Sequence, residues 1–526
     1  VFVAACVQRR RCRYPDDRFS FKDPAMPTRR LLLIAAFTLV GVAFAQAPTK
    51  AIPPAIAVAE PSVRIPADLP TGDRWLQHFR EDLLPYWNLP DAWGTPRGDF
   101  PTFRAIDGKA IDWAHPPQEV ADAPGWIRQE FGRDYVRMKS RQTYFYGVAY
   151  HLTGDPKMLA LARDGVDWIR THALDPATGS AVTYWEKGVP QPAVLARTSQ
   201  DLAYAGVGLA MYYYLTRDEA VLKDLLRLKH HIFSRYWNPQ WQALRWVVTP
   251  DAGHDEQRQE LVSQLDQINA YLLLLAPILP EKERRPWMED LQRLAATLER
   301  DYYDSGHRLF WGTIHDPAQK KLGSRHTDFG HTAKACWMLE RTGRLAHDAR
   351  LVAFATAAAQ AVLNQAYLPD SGTWGSRLRP DGTVDQGKEW WIYAELDQLA
   401  GTLALRDPAQ AAPLPRTAEF WFRHMVDHEH HEVWGGAGGP PDFEPWEGLK
   451  IHQWKSGYHS AEHALVGYLV AQALHGQPAV LYFAPKDPKA IVRPYVFEGR
   501  ILRRASRPLP GFPGRRKLEV AFTGLE

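Results

Sequence analysis

From about residue 73 to residue 476 apolar positions recur at helical spacing, and the helices they predict come in pairs. The stretch RQTYFYGVAYHLTGDPKMLALARDGVDWIRTHA reads as an apolar helix, a break at Thr153-Gly154-Asp155, then an amphipathic helix. SQDLAYAGVGLAMYYYLTRDEAVLKDLLRLKHHIF repeats that plan 63 residues later, with its break at Thr216-Arg217-Asp218. Each break holds a polar residue placed to cap the second helix. Three more pairs follow: SQLDQINAYLLLLAPIL with WMEDLQRLAATLERDYY, GHTAKACWMLERTG with DARLVAFATAAAQAVLNQAY, and EWWIYAELDQLAGTLAL with RTAEFWFRHMVDHE. An early helix, DRWLQHFREDLLPYW, lacks a preceding mate, and the apolar helix from about Ser460 to Leu474 lacks a following one. The two can close a ring together.

Within each pair the first helix is apolar on most sides and the second has a polar face. A helix apolar all round is buried, and an amphipathic one lies outside it. Six inner and six outer helices predict an all-α (α/α)6 barrel over residues 73–476. Its pocket is expected at one end, lined by the inner-helix starts and the Gly- and Trp-rich loops before them. An open α-solenoid shares the local pattern, but uneven loop lengths and the two unpaired end helices favour closure. After Gly476 the segments AVLYFAP, RPYVFEGRILRR and KLEVAFTGLE are short, β-branched and aromatic, predicting a small β-rich appendage over 477–526.

The N-terminal region reads as a targeting segment. From Met26, MPTRRLLLIAAFTLVGVAFAQA has Arg29 and Arg30, an apolar run and an Ala43-Phe44-Ala45 cleavage site. Its apolar run is too short for a lasting membrane span, so residues 1–45 are expected to be removed and the protein to be periplasmic or secreted. Residues 46–72 begin Pro- and Ala-rich and read as a linker. Only Cys336 would survive cleavage, which excludes an intramolecular disulfide. A net charge of +3 without a basic stripe argues against nucleic acid as a partner. The 20 Trp and 21 Tyr suit either a carbohydrate site or a helical core. A monomer or a homodimer fits equally.

Two clusters have the residue types of metal ligands. His459, Glu462 and His463 form an H-x-x-E-H pattern, in which two imidazoles could face one zinc ion. Such peptidases need another acidic ligand on a later helix, and the 63 residues after His463 look β-rich. The run DHEHHE, Asp427 to Glu432, sits at a helix end before a Gly-rich loop and reads as a solvated, mixed-charge surface. No metal site is expected from either.

Three inner-helix starts carry the other chemistry: DFGHTAKACWML from 328, KEWWIYAELDQLAG from 388 and WKSGYHSAEHALVGYL from 454. They resemble the G-H-x-x-E-x-x-W-L-L, W-W-x-x-A-E and W-K-x-P-Y-H-N segments of the N-acylglucosamine 2-epimerase superfamily, which includes cellobiose 2-epimerases and aldose–ketose isomerases. The matching residues are Gly330, His331 and Trp337, then Trp390, Trp391, Ala394 and Glu395, then Trp454, Lys455, Tyr458 and His459. Arg141 is similar to that family's early substrate-orienting Arg. The resemblance spans the barrel and implies cofactor-independent proton transfer beside the carbonyl of a ring-opened sugar. Imidazole, with an ordinary pKa of about 6.5, suits both base and acid. The resemblance implies His331 and His459 as that pair and Arg141 as the group holding the developing negative charge. Trp390 and Trp391 would form a stacking wall, with Glu395 bonding sugar hydroxyls or orienting a His. Trp454, Lys455, Tyr458 and Asp201 would line the substrate site.

Two positions reverse the family's charge: Lys334 stands where an acid is expected, and Glu462 where an Arg is. They could form a swapped ion pair across the pocket, and both are counted among the substrate-site residues. Asp201 keeps the Asp of a K-D-L-Y-x-H-A-F pattern whose Lys, Tyr and His are gone, and Asn269 remains where a His and Glu are lost. Two other functions remain open on this scaffold. A glycoside hydrolase or polysaccharide lyase would draw on Asp201, Asp266, Asp328, Glu395 and Glu462, and a barrel without catalysis could still bind carbohydrate.

Overall fold

The computed structural model describes residues 65–250, 255–436 and 445–526. The targeting segment and most of the linker lie outside these residues. The helices fall into six pairs around a ring. We label the outer helices α1 (72–87), α3 (156–173), α5 (Glu219–Tyr236), α7 (281–302), α9 (Ala349–Ala366) and α11 (414–425). The inner helices are α2 (Val136–Thr153), α4 (Ser199–Thr216), α6 (261–278), α8 (Phe329–Leu345), α10 (Trp390–Ala404) and α12 (Tyr458–Leu474). The (α/α)6 barrel predicted from the pattern is the observed fold. Successive inner helices touch, α12 returns to α2, and α1 lies on α12, so the two unmated helices do close the ring.

The division into inner and outer helices follows from which faces are apolar. All of α2 except its last residue is buried, whereas α5 buries one face and keeps Lys223 and Arg227 outside. Asp155 caps α3 by accepting from the Lys157 amide at 2.9 Å, and Asp218 caps α5 through the Ala220 amide at 3.0 Å. The segment Leu261–Ile278 is long and apolar enough to cross a membrane, yet 94% of it is buried in the barrel. It is a core helix.

The outer helices α3, α5, α7, α9 and α11 each lead into a tight antiparallel return, at 174–181, 237–244, 303–310, 367–374 and 426–433. These returns surround the inner-helix starts and form the barrel mouth. The DHEHHE run is one of them. Asp427 accepts from the Glu429 and His430 amides at 2.9 and 3.1 Å, and buried Glu432 accepts from Trp87 Nε1 at 2.5 Å. The run is thus a folded turn with two buried carboxylates, not the solvated surface expected of it.

The appendage is a three-stranded antiparallel sheet in the order Ala479–Phe483, Arg516–Thr523, Arg500–Pro508. It covers the inner-helix C-termini, where carbonyls lack partners within their own helix. The Ala484 amide donates to Leu215 O at 2.8 Å, and the Arg515 guanidinium to Thr216 O at 2.8 Å. The barrel is closed at that end and open at the other.

Candidate active site

At the open end lies a cavity of about 1310 Å³. The first turns of α8, α10 and α12 supply His331, Trp391 and His459 to its wall. Asp328 caps α8 by accepting from the His331 amide at 2.8 Å. The same carboxylate accepts from His331 Nδ1 at 2.7 Å. That bond places the ring proton on Nδ1 and leaves Nε2 as the free nitrogen. His331 meets the Trp391 ring edge-on at 4.7 Å between centroids, and His459 lies 6.0 Å from the same ring. Helix α10 stands between α8 and α12, so the two imidazoles approach one cavity from either side of a shared indole. Gly330 makes this possible, since a Cβ there would lie 2.6 Å from the Trp391 ring.

His459 is held differently. Its Nδ1 lies 3.4 Å from Glu395 Oε1, an ion-pair distance too long for a good hydrogen bond. Burial, with the Lys334 and Arg141 cations nearby, holds its pKa well below the ordinary 6.5, so it is a neutral imidazole at pH 7. Glu395 is fully buried, accepts from Trp337 Nε1 at 3.0 Å, and is pushed up to about 7 by desolvation. Glu462 is pushed up to about 8 by desolvation and by Glu395, and accepts from Tyr495 Oη. One ligand atom each from Glu395, His459 and Glu462 lies within 4.8 Å of the other two, an arrangement that could hold a metal ion. Lys334 already supplies positive charge to both carboxyls.

Arg141, on α2, donates to Trp454 O at 2.7 Å and lies 4.0 Å over the Tyr204 ring. One turn earlier, Arg137 donates to Gln453 O at 2.7 Å, pairs with Asp201 and lies 3.6 Å over Trp454. These two arginines fasten α2 to the segment before α12. Asp201 also accepts from Thr198 Oγ1 at 2.7 Å.

No family model matches the chain. A curated relative, the cellobiose 2-epimerase of Eubacterium cellulosolvens, is 23% identical over 358 residues, covering 62% of this chain and 86% of that protein. Among solved structures, cellobiose 2-epimerase from Bacillus thermoamylovorans B4167 matches with a TM-score of 0.62 at 14% identity, over 76% of this chain and 99% of that one. A D-mannose isomerase matches at 0.58 and 14%, over 75% and 97%. The resemblance to the N-acylglucosamine 2-epimerase superfamily is borne out. At these identities the solved structures establish the fold.

Within that scaffold, the residues singled out from sequence divide. His331, His459, Arg141, Trp390, Trp391, Trp454, Asp201 and Lys334 line the cavity. Glu395, Glu462, Tyr458 and Lys455 do not. Glu395 and Glu462 sit behind the cavity wall, so neither is placed to bond a sugar hydroxyl. Tyr458 is buried against Tyr144, with ring centroids 4.6 Å apart, and Lys455 is buried 5.1 Å from the Trp390 ring. The swapped ion pair is also corrected. Lys334 Nζ is 3.3 Å from Asp266 Oδ1, and Glu462 Oε1 accepts from Tyr495 of the appendage instead. The zinc pattern dissolves because His463 Nε2 faces Asp397 at 3.1 Å and its ring packs on Trp421, away from His459. Sequence reasoning missed Arg137, Arg325 and His326, all on the cavity wall. Arg137 had a signal, since it precedes Arg141 by four and shares its helix face.

Proposed function

We propose that the chain is a sugar epimerase or isomerase that moves a proton at the carbon beside the carbonyl of a ring-opened reducing sugar. One observation carries this reading: two imidazoles from different helices enter a single cavity beside one indole, each with a carboxylate on its Nδ1 side. His459 is neutral and can take the proton from carbon. His331, its Nδ1–H given to Asp328, presents Nε2 to accept a proton as the neutral ring, or to return one as the imidazolium, whose charge the Asp328 carboxylate offsets. The enediolate formed in between carries negative charge. Arg141 and the converging N-termini of α8, α10 and α12 are the groups that hold it. Return by the second imidazole gives the epimer, whereas return at the neighbouring carbon gives the ketose. The relatives' names, cellobiose 2-epimerase and D-mannose isomerase, fall on these two outcomes.

A glycoside hydrolase needs a free carboxyl pair across the cavity. Asp201 is tied to Arg137, Asp266 to Lys334 and Asp328 to His331, while Glu395 and Glu462 lie behind the wall. That arrangement does not favour hydrolysis. The reading includes export, which N-terminal sequencing of secreted protein beginning at Gln46 would support.

The experiment is incubation in heavy water with reducing mono- and disaccharides, followed by NMR. Deuterium should enter at the carbon beside the carbonyl, and His331→Ala or His459→Ala should abolish it. New reducing ends, or shifts without exchange, would sink the assignment.

A further inference from the structure

The charges around the cavity do not balance. Arg133 pairs with Glu130 at 2.7 Å, Arg137 with Asp201, Lys334 with Asp266 at 3.3 Å and Arg377 with Glu389. These four acids are neutralised by four cations. Arg141 and Arg325 also line the cavity, and neither bonds a carboxylate among the described residues. Arg141 is taken up by the enediolate in the function proposed above. Arg325 is left over.

Glu260 and Asp201 lie near enough to act on the charge of Arg325, but no acid bonds it among the described residues. Its Nε donates to His326 Nε2 at 3.2 Å. His326 can accept because its Nδ1–H is given to Glu260 Oε2 at 3.2 Å, and burial lowers its pKa to about 4. A neutral imidazole thus orients the guanidinium and leaves its terminal nitrogens free at the cavity rim. The backbone is fixed as well. His326 has φ 59°, a left-handed conformation costly for a non-glycine residue, and Gly312 lies so close that a Cβ would be 2.1 Å from Arg325 O. The His326 ring lies 4.8 Å from that of His331, so Arg325 sits one imidazole beyond the reacting end of the sugar.

We propose that the substrate is an anionic sugar, carrying a carboxylate or a phosphate ester at the end away from its carbonyl, and that Arg325 binds that group. A guanidinium offers a planar fork of donors that matches both anions. The proposal rests on the sugar-isomerase reading for which end of the substrate lies where, but the binding claim can be tested apart from turnover.

The test compares an aldohexose with its uronate and its 6-phosphate, by calorimetry and by deuterium exchange. The anionic sugars should bind at least ~10-fold more tightly than the neutral one. Arg325→Gln should weaken them by about 10–100-fold, mainly in KM, with the neutral sugar changed less than about twofold. Arg325→Lys should recover part of the loss, and an unchanged Tm checks folding. Which anionic sugar binds more tightly separates a carboxylate from a phosphate. Neutral and anionic sugars binding alike, or Arg325→Gln weakening both equally, overturns the proposal. Tight anionic binding without exchange by any sugar supports the anion site and overturns the isomerase reading instead.

Discussion

The first turn of the inner helices and the turn beneath it use the same residue types for opposite ends. In the first turn, His331 and His459 face a cavity open to solvent, with His331 Nε2 left free by the bond from Nδ1 to Asp328. One turn deeper, Lys334 reaches the cavity wall while paired with Asp266, and Glu395 and Glu462 lie behind that wall, bonded to Trp337 and Tyr495. The upper turn faces the cavity, and the lower turn sets the electrostatics felt from behind. A group three residues further along a helix keeps roughly its face while moving about 4.5 Å along the axis. That distance separates His459, on the cavity wall, from Glu462 behind it.

The comparison is broken most severely by removing an upper-turn imidazole. His459→Ala should lower exchange by about 10²–10⁴-fold while circular dichroism shows an unchanged Tm within a few degrees. Removing a carboxylate that positions an imidazole is next. Asp328→Asn removes a charge-assisted bond worth about 1.5–3 kcal/mol, so kcat should fall ~10–100-fold, with a smaller change in KM. Tyr495→Phe should show the reverse balance. It unpairs Glu462 from behind and should cost about 1–3 kcal/mol in urea unfolding, with kcat reduced only severalfold.

The smallest effect concerns pH. Glu462 titrates near 8 when folded, above its ordinary 4.5, because burial and Glu395 disfavour its charge. The folded state therefore holds this proton more tightly than the unfolded one. Its contribution to stability is intact below about pH 4.5 and is lost as the pH rises towards about 8. Glu462→Gln should flatten that decline, raising the Tm at pH 8 by on the order of 2–4 °C with little change at pH 4. A gain at pH 4 equal to that at pH 8 would remove the basis for a costly buried charge.

The fold was legible because α2 and α5 advertise their positions through the number of apolar faces, a property local to each helix. The pair His331 and His459 was legible because short motifs mark helix starts, and helix starts line the mouth. Depth was not legible. Lys334 and Glu462 follow the two histidines by three positions each, yet Lys334 reaches the cavity and Glu462 does not, a difference the pattern does not carry. Nor could the pattern show that a tyrosine from the appendage donates to Glu462, since that contact spans unrelated elements. Arg325 escaped notice because an arginine in a loop carries no periodic mark; its meaning comes from the acids that fail to reach it.

Trp391 serves both imidazoles at once. Any displacement of that ring towards α8 draws it away from α12, so the surroundings of the two imidazoles are mechanically linked. Under the proposed proton transfer, substitutions at this position should alter stereochemical outcome and turnover together.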